Sequence, residues 1–247
     1  MKILFLLTQD LESPLGIGRI WPLAKELARR GHKVRIAALH SRWDEIAERS
    51  FEQEGVIVQY VGPMHVRKVG NEKLYYSLLG LIRVALRASW ALSRAALKEK
   101  VDIIHVGKPH PMNSIAGLLA KWLKGSVLCV DCDDYEAASN RFGAGWQRKV
   151  VAFFERHTPC HSQVVTTHTQ FMWDKLVSWG CPPERIYFLL NGVDKERFTS
   201  SRRETVDALR KSLGLEGRQV VGYVGTLSLV NHPVNLLIEA FALLVNQ

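Results

Sequence analysis

Short apolar runs, most of them followed by a stretch of helical periodicity, recur through the first 191 residues and constrain the fold more than any other feature. "KILFLLT" (2–8), "KVRIAAL" (33–39), "GVIVQYV" (55–61), "VDIIHVG" (101–107), "SVLCVDCD" (126–133), "SQVVTTH" (162–168) and "RIYFLLN" (185–191) read as strands. Helical patterns occupy 19–31 (closed by Gly31), 74–97, 113–125, 145–157 and 169–180. Strands this apolar are buried on both faces, and the helices between them supply the crossovers that a parallel sheet needs. The expected fold is α/β, a Rossmann-like parallel sheet with helices on both faces. Such a sheet binds ligands beyond the carboxyl ends of its strands.

Near residue 191 the pattern changes. "NGVDKERFTSSRRETVDALRKSLGLEGR" opens on a turn signal and continues rich in charge and hydroxyl groups, so 191–217 reads as a connector with a short helix. "QVVGYVGTL" then starts another buried strand and "PVNLLIEAFALLVNQ" another helix. One strand and one helix cannot bury their own apolar faces. The expected organisation is therefore a domain over 1–190, a connector over 191–217, and the opening of a truncated second domain over 218–247.

The net charge of +9 favours anionic partners: a phosphorylated small molecule, an acidic membrane surface or nucleic acid. Aromatic interleaving and a recognition helix are both missing, which argues against nucleic acid. No run of eighteen apolar residues is present to span a bilayer. "LYYSLLGLIRVALRASWALSRAAL" (74–97) is amphipathic, with Arg83, Arg87 and Arg94 on one side. A core-packed helix is the first reading of this segment, and a helix lying on an anionic membrane surface is the second. Four cysteines without a secretory leader point to reduced thiols and a cytoplasmic location, with peripheral attachment to the inner membrane face left open.

"SPLGIGRIW" places Gly16 and Gly18 between a strand and a helix, as a dinucleotide-binding turn would. That fingerprint needs a third small residue where Trp21 stands, and an acidic residue at the end of the second strand, where the sequence reads "ALHSR". Nicotinamide and flavin chemistry are disfavoured on both grounds. Two readings remain for Gly16, Gly18 and the adjacent Arg19: a turn open to an anionic substrate at a helix start, or a tight turn without a ligand.

Several segments together resemble family 4 glycosyltransferases. "GRIWPLAKELARRGHKVRI" is similar to that family's first helix and second strand, "IYFLLNGVDKERF" to its Asn-Gly-Val-Asp…Phe segment, and "VVGYVGTLSLVNHPVNLLIEAFALL" to the start of its C-terminal domain. The resemblance implies the GT-B architecture, in which two Rossmann-like domains face each other across a cleft. It also implies transfer of a sugar from a nucleotide-sugar donor to a glycan or lipid-linked acceptor, with retention, without a cofactor and usually without a metal. Asn191 and Gly192 would form a positive-φ turn, and Val193 and Phe198 would anchor the connector. Donor contacts fall on Thr226 and His232, where the family usually has Arg and Lys. The family's later pair of glutamates, separated by seven residues, would lie beyond Gln247.

The family often carries a His-Asp pair where this chain has Asp133 and Asp134. The resemblance makes Asp133 the candidate catalytic residue, stabilising an oxocarbenium-like centre, and Asp134 a substrate contact. Capping of the next helix is the alternative for both. Asp131-Cys132-Asp133 also matches the metal-binding D-x-D of the single-domain GT-A fold, although strand alternation turns Asp131 into the sheet layer. In "HVGKPHP", His105, Lys108 and His110 follow a strand and so face the ligand side, with Lys108 a point charge for an anion. Cys129-x-x-Cys132 and the group His157, Cys160 and His161 lack matching partners at zinc-ligand spacing, and read as ordinary packing residues.

Overall fold

A computed structural model of the chain describes residues 1–69, 72–140, 142–192, 203–225 and 234–245. It divides into two compact units, Met1–Asp194 and Lys195–Gln247. The first unit is built on an eight-stranded sheet of β1 (Lys2–Leu7), β2 (Lys33–His40), β3 (Ser50–Gln53), β4 (Val56–Pro63), β7 (Ile103–Gly107), β8 (Val127–Asp131), β9 (Val164–Thr167) and β10 (Ile186–Phe188). Their spatial order is β10-β9-β8-β7-β1-β2-β4-β3, parallel throughout except that β3 runs against β4. A separate antiparallel pair joins β5 (Val66–Val69) and β6 (Glu72–Tyr75).

Period-two alternation sorts the strand residues onto two faces. Leu4, Leu6, Ile104, Val106, Leu128, Val130 and Val165 pack with Ala88 and Leu92 of α2 (Leu78–Leu97), Ala116 and Ala120 of α3 (Pro111–Lys124), and Met172 and Leu176 of α6 (Gln170–Ser178). Ile3, Phe5, Leu7, Val34, Ile36, Val56 and Val58 pack on the other side against Ile20 and Ala24, the latter in α1 (Trp21–Arg29). Each such side chain, fully buried, contributes about 1.5–3 kcal/mol. This explains why the apolar runs found their places as central strands. Between β7 and β9 the α1 face turns polar, carrying His105, Asp131 and Thr166, all buried.

Helix ends follow local chemistry. The Thr169 side chain accepts from the Met172 N–H at 3.2 Å to start α6, and Pro111 occupies the first turn of α3, which Gly125 closes at φ +70°. Several elements depart from the sequence reading, among them the short β5 and a helix over Glu136–Ser139. Leu74 and Tyr75, expected to be helical, end β6, and α2 starts only after Ser77, whose Oγ accepts from the Gly80 N–H. β3 was not expected, because "SFEQ" is a polar edge strand without apolar alternation. It is held to β4 by a two-residue turn, Glu54-Gly55, with both φ positive (+50° and +76°), as a tight hairpin twist requires. The strand expected over 219–227 does not form in its described part, 219–225, where Val220, Val221 and Val224 are exposed. A strand is stable only when paired, and no other strand is present among the described residues of the second unit. That unit contributes α7 (Arg203–Ser212) and the apolar α8 (Val234–Val245).

Gly16 and Gly18 also depart from expectation. Residues Gly16–Ile20 form one π-helical turn that continues directly into α1, so both glycines lie within helix, and neither has positive φ. The helix begins earlier, where Ser13 Oγ accepts from the Gly16 N–H at 3.1 Å and donates to the Asp10 carbonyl. Gly16 is required for close approach: a Cβ there would fall 2.6 Å from the Leu11 Cα. Gly18 faces open space.

Candidate functional site

The strand order reverses between β1 and β7, and the carboxyl ends of these strands open the crevice where doubly wound sheets bind ligands. Asn113 knits the two ends together, its Nδ2 donating to the carbonyls of Gly107 and Lys108 at 2.9 Å each and to that of Leu6 at 3.3 Å. Thr8 Oγ1, just beyond β1, meets His110 Nδ1 at 2.8 Å, and His110 Nε2 meets Glu136 Oε2 at 3.0 Å.

Lys108 stands at the centre. Its backbone is left-handed at φ +65°, rare for a non-glycine residue, and is fixed by its N–H donating to the Asp131 carbonyl and its own carbonyl accepting from the His110 N–H. This turn sends the ammonium among three carboxylates: Glu136 at 2.5 Å, Asp134 at 2.8 Å and Asp133 at 3.4 Å. Burial alone would lower the Lys108 pKa, but the surrounding carboxylates raise it above that of an ordinary lysine. Burial would raise Glu136, yet His110 and Lys108 hold it down at about 2. Asp133 is pushed up to about 6 by burial, against the pull of Lys108. Its carboxylate therefore ionises closer to neutral pH than an ordinary aspartate does. Beneath the cluster the buried Glu155, on α5 (Gly145–Cys160), accepts from the N–H groups of Glu136 and Ala137, which open the short helix α4 (Glu136–Ser139). Burial pushes it to about 7 despite these bonds.

Lys108 is therefore no free cation awaiting a phosphate. Its charge is already matched, and the cluster as a whole is acidic. Asp133, Asp134 and Glu136 lie close enough for their oxygens to converge on a cation, and the Lys108 ammonium occupies that role.

Arg19 is likewise committed. Nε and Nη2 bind the two oxygens of Asp131 at 2.5 and 2.6 Å, while Nη1 donates to the Leu189 carbonyl at 2.7 Å and Asn191 Oδ1 at 2.9 Å. Thr166 Oγ1 donates to Asp131 Oδ1 at 2.6 Å. Burial would raise the Asp131 pKa, but Arg19 and Thr166 bring it below the ordinary carboxylate range. Asp131, turned into the sheet layer as alternation requires, thus binds Arg19 while Asp133 turns to Lys108, so the D-x-D does not converge on one ion. His105 does not face the crevice either. It is buried within β7 beside Phe5, and burial lowers its pKa.

The expected positive-φ turn at Asn191-Gly192 is not found; Asn191 instead gives Arg19 an acceptor. Val193, Phe198, Thr226 and His232 lie outside the described residues. His157 and His161 each spend Nδ1 on a helix carbonyl, and among the described residues they do not gather with Cys160 into a set of metal-ligand atoms. Glu136, Glu155, Thr8 and Asn113 have no part in the sequence reading. Only Asn113, just inside a helix that follows a strand, had a local signal.

Residues 16–192 match the glycosyl transferase 4-like domain, and the chain belongs to that family. The fold is the Rossmann-like α/β type of GT-B glycosyltransferases. Sucrose-phosphate synthase from Thermosynechococcus elongatus is 12% identical at a TM-score of 0.62, covering 87% of this chain and 53% of that one. HepE from Anabaena, in complex with UDP and glucose, is 21% identical at a TM-score of 0.61, covering 98% of this chain and 58% of that one. UDP-GlcNAc 2-epimerase from Methanocaldococcus jannaschii is 15% identical at a TM-score of 0.51, with 90% and 54% covered. The chain thus spans little more than half the length of each of these structures. A search of curated protein sequences returned no match.

Proposed function

We propose that this chain is the acceptor-side portion of a retaining GT-B glycosyltransferase, which moves a sugar from a nucleotide-sugar donor to a glycan or lipid-linked acceptor at the cytoplasmic face of a membrane. Residues 1–190 form the acceptor-side domain, 191–217 the connector, and 218–247 the start of the donor domain, with Thr226 and His232 on the donor side. The observation that carries the reading is the Lys108-centred carboxylate cluster at the crevice between β1 and β7.

Asp133 is the proposed catalytic residue. Held 3.4 Å from Lys108, its carboxylate stabilises positive charge developing on the transferred sugar and accepts hydrogen bonds from sugar hydroxyls. Asp134, more exposed, contacts the acceptor. Lys108 positions both carboxylates, and Arg19 fixes the wall of the crevice by tying the start of α1 to β8. Gly18, open to solvent on the first turn of that helix, leaves room for substrate, while Gly16 sets the path of the loop before it. The UDP and UDP-glucose complexes of the HepE structures support a nucleotide-sugar donor.

The second reading is a split transferase half that binds a partner without catalysis. The unpaired segment 219–225 favours it, because a donor-binding wall needs that strand in a sheet. Calorimetric titration of UDP-, GDP- and ADP-sugars against this chain and against the longest product of its reading frame separates the two. Binding and turnover by the longer form support the transferase; no binding by either supports the split half.

A further inference from the structure

Helix α2 carries three stripes rather than two. At 100° per residue, Val84, Ala88, Leu92 and Ala95 gather on the face packed into the core. A second stripe, Leu79, Ile82, Leu86 and Trp90, follows the spacing i, i+3, i+7 and i+11, and is left in solvent: Leu79 is 77%, Leu86 67% and Trp90 64% exposed. Arg83, Arg87 and Arg94 run along the edge of that stripe, and the helix contains no acidic residue. Most of the large side chains on an ordinary surface helix would be polar along this outer face.

The position of the helix adds to this. β4 ends at Pro63 opposite His40, at the carboxyl edge of the sheet, and both the β5–β6 pair and the first turn of α2 follow from there. Arg67 of β5 and Arg87 of α2 both act on Tyr76, as does Asp44. Leu74 and Tyr75 of β6 are exposed as well. The apolar and basic surface therefore rises from the same edge of the sheet as the Lys108 cluster.

We infer that the outer face of α2, extended by β5 and β6, is a docking surface for an anionic lipid bilayer. The Leu79, Ile82, Leu86 and Trp90 stripe enters the headgroup boundary, and Arg83, Arg87 and Arg94 meet lipid phosphates. On α2, leucine and tryptophan beside arginine, with no acidic residue in the helix, suit an anionic interface better than a protein groove, where arginines need carboxylate partners. Docked this way, the first turn of α2 brings the carboxyl edge of the sheet beside the membrane, which deepens the lipid-linked acceptor reading given above.

The test is partition of the 247-residue chain onto sedimented vesicles, either pure phosphatidylcholine or phosphatidylcholine with 30% phosphatidylglycerol, at roughly 0.1 and 0.5 M salt. Retention on the anionic vesicles, weaker at high salt and at least about tenfold lower for a combined Leu79→Glu, Leu86→Glu and Trp90→Ala variant, is the expected result. A paired Arg83→Glu, Arg87→Glu variant should lose the preference for anionic lipid. Unchanged thermal midpoints show that the variants fold. Three outcomes overturn the inference: absence of binding to either vesicle, equal binding by the triple variant, or a dimer in sedimentation velocity that the triple variant dissolves. Vesicle binding requires neither donor nor acceptor, so it fails or holds independently of transferase activity.

Discussion

Arg19 and Asp131, 112 residues apart, meet through two parallel hydrogen bonds of 2.5 and 2.6 Å with both side chains buried. The same guanidinium reaches Leu189 and Asn191, so one side chain ties the start of α1 to β8 and to the segment after β10. Removing one partner strands a buried charge. Asp131→Ala is therefore expected to cost about 3–5 kcal/mol in urea denaturation, whereas the double variant Arg19→Met, Asp131→Leu should cost clearly less than the sum of its two single changes. Additive costs would show that the pair acts through packing alone.

The two glycines of "GIG" should respond oppositely. Gly16→Ala forces a Cβ to 2.6 Å from the Leu11 backbone, which cannot yield like a flexible side chain, and a loss of about 1–3 kcal/mol is expected. Gly18→Ala meets open space within a helix and should be neutral or stabilising by up to about 1 kcal/mol. Thermal melts of both variants decide this, and equal destabilisation would count against the helical placement.

Glu155 sets a pH signature. Its folded value of about 7 lies above the ordinary 4.5, so the native state holds an extra proton between these values, and stability falls as pH rises through that window. Asp133, raised from 3.8 to about 6, adds the same sign over a lower range. Glu136 at about 2 runs the other way, contributing stability above pH 4.5 that is lost as pH falls towards 2. Glu155→Gln cannot ionise, so its penalty relative to wild type should be largest near pH 5 and shrink by pH 8. A penalty that grows with pH would reverse the assignment.

Lys108 should tune Asp133. Without the ammonium the carboxyl group loses its nearest positive charge, and its pKa rises further. Lys108→Gln is expected to move the acidic limb of the pH–rate profile upward by about one unit, with reduced stability. An unmoved limb would disconnect the two residues.

The sheet was legible because alternating strands and helices leave few ways to bury Leu4, Ile36, Val106 and Val130. The edge was not: "SFEQ" pairs through backbone groups alone, and Glu54-Gly55 is a weaker hairpin signal than Asn-Gly. At the site, Asp133, Asp134 and Lys108 stood out in sequence because each follows a strand. Their gathering around one ammonium did not, since it depends on a left-handed backbone at Lys108 and on Glu136, whose N–H is held by Glu155 from 19 residues further on. Arg19 was read as a ligand contact for the same reason: its partner Asp131 lies in a distant strand.

Turnover of a nucleotide sugar by the longest product of the reading frame, compared between wild type and Asp133→Asn, tests the central claim most directly. Release of nucleoside diphosphate in the presence of acceptor should occur with at least one of the UDP-, GDP- or ADP-sugars, and Asp133→Asn should lower kcat by roughly 100-fold or more, with donor KM and thermal midpoint little changed. Full turnover by Asp133→Asn, or no release from any of these donors by the wild type, would contradict it.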